Sequence, residues 1–252
     1  MRKIFVSAGD VITAKLIEQA GFGGIWLSGF ECSARLGLAD NGSLTLTEML
    51  NIARPIVEAV KIPVMVDTDT GYGNFQRTVR EFERIGVDTI CVEDNVEGLK
   101  VNSLWGQQIP LMKMEDFGRK IQVKRSKIKV MARTEALIRN YGEMEAVKRL
   151  AHYQACGADI LLPHVRDEKD ILWIGKSEFE YAIVPTKFPY YTNDKLFDMG
   201  YSYVIWANQT ERVKIKAIRD ALGMLKEKDC SQEIEDNLSA SLDDLKGLTP
   251  DD

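Results

Sequence analysis

Histidine is scarce in this chain: His152 and His164 are the only two among 252 residues. Arithmetic therefore excludes a site built from several imidazoles. Any metal must be held largely by oxygen, which points to a hard ion such as magnesium, with manganese as a substitute. The four cysteines, Cys32, Cys91, Cys156 and Cys230, stand far apart and form no C-x-x-C pair. That spacing argues against a disulfide framework or zinc knuckle and leaves buried free thiols as the simpler reading. With 7 prolines, 19 glycines and 45% hydrophobic residues, the body is neither low-complexity nor disordered. No apolar run approaches the roughly 18–20 residues that a bilayer span needs. The amino-terminal stretch has a basic tip but meets Gly9–Asp10 after a few apolar residues, which makes a poor signal peptide. A soluble, cytoplasmic protein without a membrane partner is the expectation. No basic stripe favours nucleic acid either.

Charge is present but uneven. The formal net charge is −5, yet the stretch from Asp229 onward holds eight acidic residues against the single Lys246, which leaves the preceding body slightly positive. This shift in composition suggests a division into residues 1–228, a catalytic domain, and residues 229–252, an acidic tail with a short amphipathic piece over Leu238–Leu245. The tail reads either as a solvated extension or as a docking element for a neighbouring subunit.

Short apolar runs alternate with amphipathic helical patterns along the body. Strands are predicted at Ile4–Ser7, Gly24–Leu27, Pro63–Val66, Thr89–Val92, Lys129–Ala132, Asp159–Leu162, Tyr181–Val184 and Tyr203–Trp206. Helices are predicted at Val11–Ala20, Leu46–Val60, Phe75–Ile85, Met114–Arg125, Met144–Cys156 and Glu211–Glu227. Gly21, Gly86 and Gly157 follow three of these helices as left-handed stops. Eight strands alternating with helices imply a parallel sheet, and eight is the number that closes a (β/α)8 TIM-type barrel. The doubly wound alternative lacks a G-x-G-x-x-G turn after its first strand.

Polar residues gather just after the strand runs: Ser28–Gly29, Asp67 and Asp69, Glu93–Asp94, Arg133, His164, Pro185–Thr186 and Asn208. In barrels of this class the carboxyl ends of the strands carry the active site. The run Asp67-Thr-Asp69-Thr-Gly-Tyr-Gly-Asn74 delivers two carboxylates followed by a glycine-rich turn, and Glu93 leaves the next strand. Asp67, Asp69 and Glu93 thus form a candidate oxygen nest for one divalent cation, although Asp69 and Asn74 would also serve as caps. Arg133 supplies a planar fork suited to a carboxylate or phosphate, unless it is consumed by a salt bridge to Glu135 or a rim carboxylate. His164 reads as a general acid, an oxygen-binding donor or a structural residue. Ser28 and Gly29 read as a ligand contact or a plain tight turn.

These residues also carry a resemblance. Gly24-Ile-Trp26-Leu-Ser-Gly29, Asp67–Asn74, Val92-Glu-Asp94, Ala132-Arg-Thr-Glu-Ala-Leu-Ile138, Val184-Pro-Thr-Lys187 and Trp206-Ala-Asn208 resemble the phosphoenolpyruvate mutase branch of the isocitrate lyase superfamily, from about Val6 to about Leu225. The resemblance implies a (β/α)8 barrel, a magnesium-bound α-keto or enol acid, and a homo-oligomer, dimer or tetramer, whose last helix is exchanged between subunits. By position it assigns Asp40, Lys100, Asn102, Arg133 and His164 to catalysis. It assigns Trp26, Ser28, Gly29, Phe30, Asn102, Ser103 and Arg133 to the substrate, and Asp67, Asp69 and Glu93 to the metal, with Asp67 the most direct ligand. Lys100 and Asn102 would ride on a mobile lid. The carbon–carbon lyases of the superfamily usually carry a Lys-Lys-Cys-Gly-His loop, whereas the loop from Asp94 to Ser103 has no cysteine. Mutases resemble it more closely in ending Lys100-Val-Asn102-Ser103, but Asn95 stands where they have lysine and the loop is one residue longer. The stretch Ser28–Glu31 resembles the phosphonopyruvate hydrolases instead. The implied reaction is interconversion of phosphoenolpyruvate and 3-phosphonopyruvate, with hydrolysis of phosphonopyruvate, carbon–carbon lysis or ligand binding without turnover as alternatives.

Overall fold

The computed structural model describes residues 2–105 and 108–249. Eight parallel strands pair in sequence order and close on themselves, β1 with β8. They are β1 Lys3–Ser7, β2 Gly24–Leu27, β3 Val64–Asp67, β4 Thr89–Glu93, β5 Lys129–Thr134, β6 Ile160–Pro163, β7 Glu180–Ile183 and β8 Tyr203–Trp206. The helices are α1 Val11–Gln19, α2 Gly29–Arg35, α3 Leu46–Ala59, α4 Phe75–Arg84, α5 Met114–Ile121, α6 Glu143–Ala155 and α7 Asn193–Asp198, followed by α8 Gln209–Lys228, α9 Gln232–Asn237 and α10 Leu242–Gly247. The predicted (β/α)8 barrel is the observed fold, and Gly21, Gly86 and Gly157 take the positive φ their helix-stop role requires.

Strand periodicity separates two apolar layers. One set of side chains, among them Phe5, Trp26, Met65, Cys91, Met131, Leu162 and Ile205, fills the barrel interior. The alternate set, including Ile25, Val66, Val92, Ala132 and Leu161, packs outward with helix residues such as Met49, Phe82 and Phe117. Successive side chains on a strand face opposite sides. Two residues beyond the interior Met65, Cys91, Met131 and Leu162 therefore come Asp67, Glu93, Arg133 and His164. The interior file thus ends at the barrel mouth in charged and polar groups.

Several expectations are corrected. Ser28–Gly29 opens helix α2 rather than a tight turn, with the Ser28 side chain accepting from the Glu31 amide. The α5 prediction ran to Arg125, but the helix ends at Ile121, where Gln122 leaves helical geometry with ψ 68°. Cys32 and Cys91 are buried as expected, whereas Cys156 is partly buried and Cys230 exposed. The predicted amphipathic piece Leu238–Leu245 covers the connection after α9 and the first turn of α10. The chain forms two compact units, Met1–Ala207 and Asn208–Asp252, divided earlier than the change of charge composition at Asp229. Backbone contacts change at the start of α8, and charge changes only after its end. Among the described residues, no helix is long and apolar enough to cross a membrane.

Candidate active site

Strand register fixes the geometry of the mouth. Asp67 is level with Cys91, and Glu93 is level with Arg133 on the next strand. Arg133 therefore reaches both neighbours: Nη1 lies 3.3 Å from Asp67 Oδ2 and Nη2 lies 3.3 Å from Glu93 Oε2. Its Nε donates to Glu135 Oε1 at 2.6 Å and its Nη2 to Ser103 Oγ at 2.8 Å. Both readings of Arg133 thus hold at once. It sits at the mouth, and it is paired with Glu135 and with rim carboxylates.

Asp69 occupies the left-handed turn after β3, at φ 49°, while Asn74 caps α4 by accepting from the Arg77 amide at 3.0 Å. The capping alternative is therefore right for Asn74. Asp69 instead receives Lys100 Nζ at 3.1 Å. Lys100 also pairs with Asp40 Oδ1, and Asn102 Nδ2 donates to Asp40 Oδ2 at 2.6 Å. Lys100, Asn102 and Ser103 belong to the β4–α5 connection, which crosses the mouth; Gly106 and Gln107 of that connection lie outside the described residues. Gly29, the first residue of α2, backs onto the carboxylates so closely that a Cβ there would stand 2.7 Å from Asp69 Oδ1 and 3.7 Å from Asp67 Cγ. Phe30 meets the lid through an edge-on contact with Trp105, centroids 5.6 Å apart. Trp26, expected at the substrate, is packed in the barrel interior with Met65 and Cys91.

Burial sets the electrostatics. It pushes the Asp69 carboxyl up to about 7, against the pull of Lys100, with Asp67 adding to the rise. It pushes Glu93 up to about 8, against Arg133 and with the help of Glu135. Burial also opposes ionisation of Glu135, but Arg133 and His164 together outweigh it and hold Glu135 well below the carboxylate range. His164 is lowered by burial and then by Arg133, with Glu135 working against both. Its Nδ1 lies 2.7 Å from Glu135 Oε1.

Among the described residues, no group of three His, Cys, Asp or Glu side chains stands at metal-ligand spacing, because Arg133 and Lys100 are interleaved between the carboxylates. The donor chemistry nevertheless fits a hard divalent cation. Asp69 Oδ2 and Glu93 Oε2 are buried oxygens without a hydrogen bond, and Glu93 Oε2 has only the unaligned approach of Arg133. Buried, proton-retaining carboxylates of this kind are relieved by a cation, directly or through its water. Only Asp67 was expected to bind directly, so no closed cage is required.

Two parts of the site escaped the sequence reading. In the sequence Glu135 reads only as a competitor for Arg133, although it follows directly on the end of β5, two residues after Arg133. Beneath it, Asp94 accepts from Thr134 Oγ1 at 2.8 Å, the Glu135 amide at 2.9 Å, Tyr153 OH at 2.7 Å and Arg149 Nη1 at 3.1 Å. No local motif links Asp94 to Arg149 and Tyr153, which arrive on α6.

The mouth thus gathers buried carboxylates, the Arg133 guanidinium and the Lys100 ammonium at the carboxyl ends of the strands. The sequence model of the phosphoenolpyruvate phosphomutase family matches residues 2–226. The chain belongs to this family. Its barrel superimposes on the crystal structure of phosphoenolpyruvate phosphomutase from Streptomyces platensis subsp. rosaceus with TM-score 0.93 and 32% identity, covering 98% of this chain and 90% of that one. A phosphonopyruvate hydrolase crystallised with oxalate and magnesium follows at TM-score 0.89 and 32% identity, covering 98% and 89%. The 2,3-dimethylmalate lyase of Eubacterium barkeri is 33% identical, covering 98% of this chain and 91% of the lyase. Family members of similar identity therefore differ in reaction. The chain is an enzyme of the phosphoenolpyruvate mutase/isocitrate lyase superfamily.

Proposed function

We propose that the protein is a phosphoenolpyruvate mutase that interconverts phosphoenolpyruvate and 3-phosphonopyruvate. The phosphorus–oxygen bond to the enol breaks and a phosphorus–carbon bond to C3 forms, with no net change in protons or water. The observation that carries this reading is the engagement of Asp40 by Lys100 and Asn102 from the lid, on a loop that has no cysteine to act as a lyase acid.

Phosphoryl transfer passes through a loose transition state, so catalysis is chiefly positioning and stabilisation of charge on the equatorial oxygens. In this reading Asp40 receives or steers the phosphoryl group, and Lys100, Asn102 and Arg133 face its oxygens. Lys100 and Ser103 of the lid are themselves buried, which favours exclusion of the water that would otherwise capture the group. Ser28, Gly29 and Phe30, at the start of α2, bind the substrate carboxylate. His164 stands beside the substrate. Magnesium would be held by Asp67, and through water by Asp69 and Glu93, and would neutralise charge on the enolpyruvate oxygens.

Hydrolysis of phosphonopyruvate is the second reading. Asn95 replaces the mutase lysine, and its Nδ2 donates to Glu93 Oε1 at 2.7 Å, so the neighbour of Glu93 is neutral. A phosphorus NMR time course with phosphonopyruvate and magnesium decides between the two. Phosphoenolpyruvate appears if the protein is a mutase; orthophosphate and pyruvate alone select the hydrolase. Magnesium with oxalate should also raise the melting temperature, and Asp67→Ala should abolish that rise. An equal rise in the variant would refute the assigned metal position.

A further inference from the structure

We propose that Glu135 is a positioning residue that couples closure of the β4–α5 lid to the orientation of Arg133 and His164. The inference rests on the reading above only in taking Arg133 and His164 to face the substrate.

Three side chains form a closed triangle. Arg133 Nε donates to Glu135 Oε1 at 2.6 Å, Arg133 Nη2 donates to Ser103 Oγ at 2.8 Å, and Ser103 Oγ donates to Glu135 Oε2 at 2.7 Å. Arg133 and Glu135 belong to the barrel, while Ser103 belongs to the lid. Withdrawing the lid thus removes two hydrogen bonds at once, one from each barrel partner, in a site where all three side chains are buried. A second tie runs alongside, since Arg139 Nη2 donates to the lid carbonyl of Val101 at 3.3 Å and approaches Glu135 Oε2 at 3.6 Å.

Glu135 is itself held from below. Its amide donates to Asp94 Oδ1 at 2.9 Å, and its carbonyl accepts from the Arg139 amide at 2.9 Å. The carboxylate therefore has little freedom to follow a moving partner. Its remaining contact is His164 Nδ1, at 2.7 Å from the same Oε1 that takes Arg133. A carboxylate paired with two arginines offers only acceptors, so the neutral imidazole donates its Nδ1 hydrogen and keeps the lone pair on Nε2. That tautomer leaves Nε2 an acceptor, which disfavours the oxygen-binding donor among the three readings of His164. One side chain thus sets the angle of the guanidinium, the tautomer of the imidazole and the seat of the lid.

Both halves are testable without substrate, so their failure is distinguishable from a wrong reaction assignment. In uniformly 15N-labelled protein, long-range proton–nitrogen correlation resolves two imidazoles, assigned with His152→Gln. His164 should show a protonated Nδ1 and a bare Nε2; the opposite tautomer overturns the role of Glu135. Glu135→Gln should raise the Nε2–H form. For the lid, trypsin should cut after Lys100 at least roughly fivefold faster in Ser103→Ala, which loses two buried hydrogen bonds where one alone accounts for about that factor. An unchanged rate overturns the coupling. Should Glu135→Gln fail to fold, the wild-type tautomer and the Ser103→Ala rate still decide.

Discussion

Asn102 Nδ2 donates to Asp40 Oδ2 at 2.6 Å, joining positions 62 apart in the chain, while Lys100 pairs with the other oxygen of the same carboxylate. The lid therefore satisfies both Asp40 oxygens, and a bound phosphoryl group would have to take over these donors.

This exchange predicts the behaviour of Asp40→Asn. Lys100 would keep Asp69 at 3.1 Å as a partner, so folding should be preserved. If Asp40 acts on the transferring group, turnover should fall by about 10²–10⁴-fold, the usual scale for a positioned catalytic group. Initial rates by phosphorus NMR measure it. A loss confined to KM would make Asp40 a lid anchor alone.

Gly29→Ala separates stability from activity. Alanine is about 1 kcal/mol better than glycine inside a helix, so α2 should not weaken. The new Cβ would lie 2.7 Å from Asp69 Oδ1, and the carboxylate must move. Turnover should drop by about 10²-fold, as misplacement of about 1 Å can produce, with no fall in melting temperature. Full activity in the variant would show that Asp69 tolerates displacement.

At the opposite end of the barrel, Glu83 Oε1 accepts the amides of Ser126, Lys127 and Ile128 at 2.8, 2.6 and 3.2 Å. The Lys127, Ile128 and Ser126 amides lower its carboxyl below the usual value. A depressed folded value means that the unfolded state binds the proton first as pH falls. The contribution is therefore present above the ordinary glutamate range and is lost below it. Thermal melts should show Glu83→Gln less stable than wild type at pH 7, with the gap closing toward pH 3.5. A gap independent of pH would contradict the account.

Tyr153 is fully buried, donates to Asp94 and accepts from Arg149 Nη1 at 3.0 Å. Tyr153→Phe keeps the ring, which packs on Phe117 at 4.5 Å between centroids, and removes the hydroxyl. The cost should be about 2 kcal/mol, typical of a hydrogen bond to a buried charge, read from urea unfolding. A loss under about 0.5 kcal/mol would mean that Asp94 finds another donor.

How much of this was legible in the sequence varies with the range of the forces involved. Strands β2 and β8 fall where the apolar runs place them, because burial on both faces leaves an uninterrupted apolar signature. Helix α2 was missed although Ser28 and Glu31 stand at capping spacing, since a glycine at the first turn looks like a loop. Asp67, Glu93 and Arg133 were legible as strand-end residues. The Asp94–Arg149–Tyr153 network was not, because no period or motif links a strand end to one face of a helix more than fifty residues later.

Alternation and composition by themselves determined the barrel, the end of it where charged and polar residues gather, and the oxygen character of any metal site. Those properties follow from local backbone geometry and from which residue types are present. Only the folded molecule decided that Asp40 meets Lys100, that Glu135 joins Arg133 to His164 and Ser103, and that Asp69 and Glu93 hold their protons more tightly than free carboxylates. Those outcomes depend on loop closure and on exclusion of water, which exist only once distant segments have packed together.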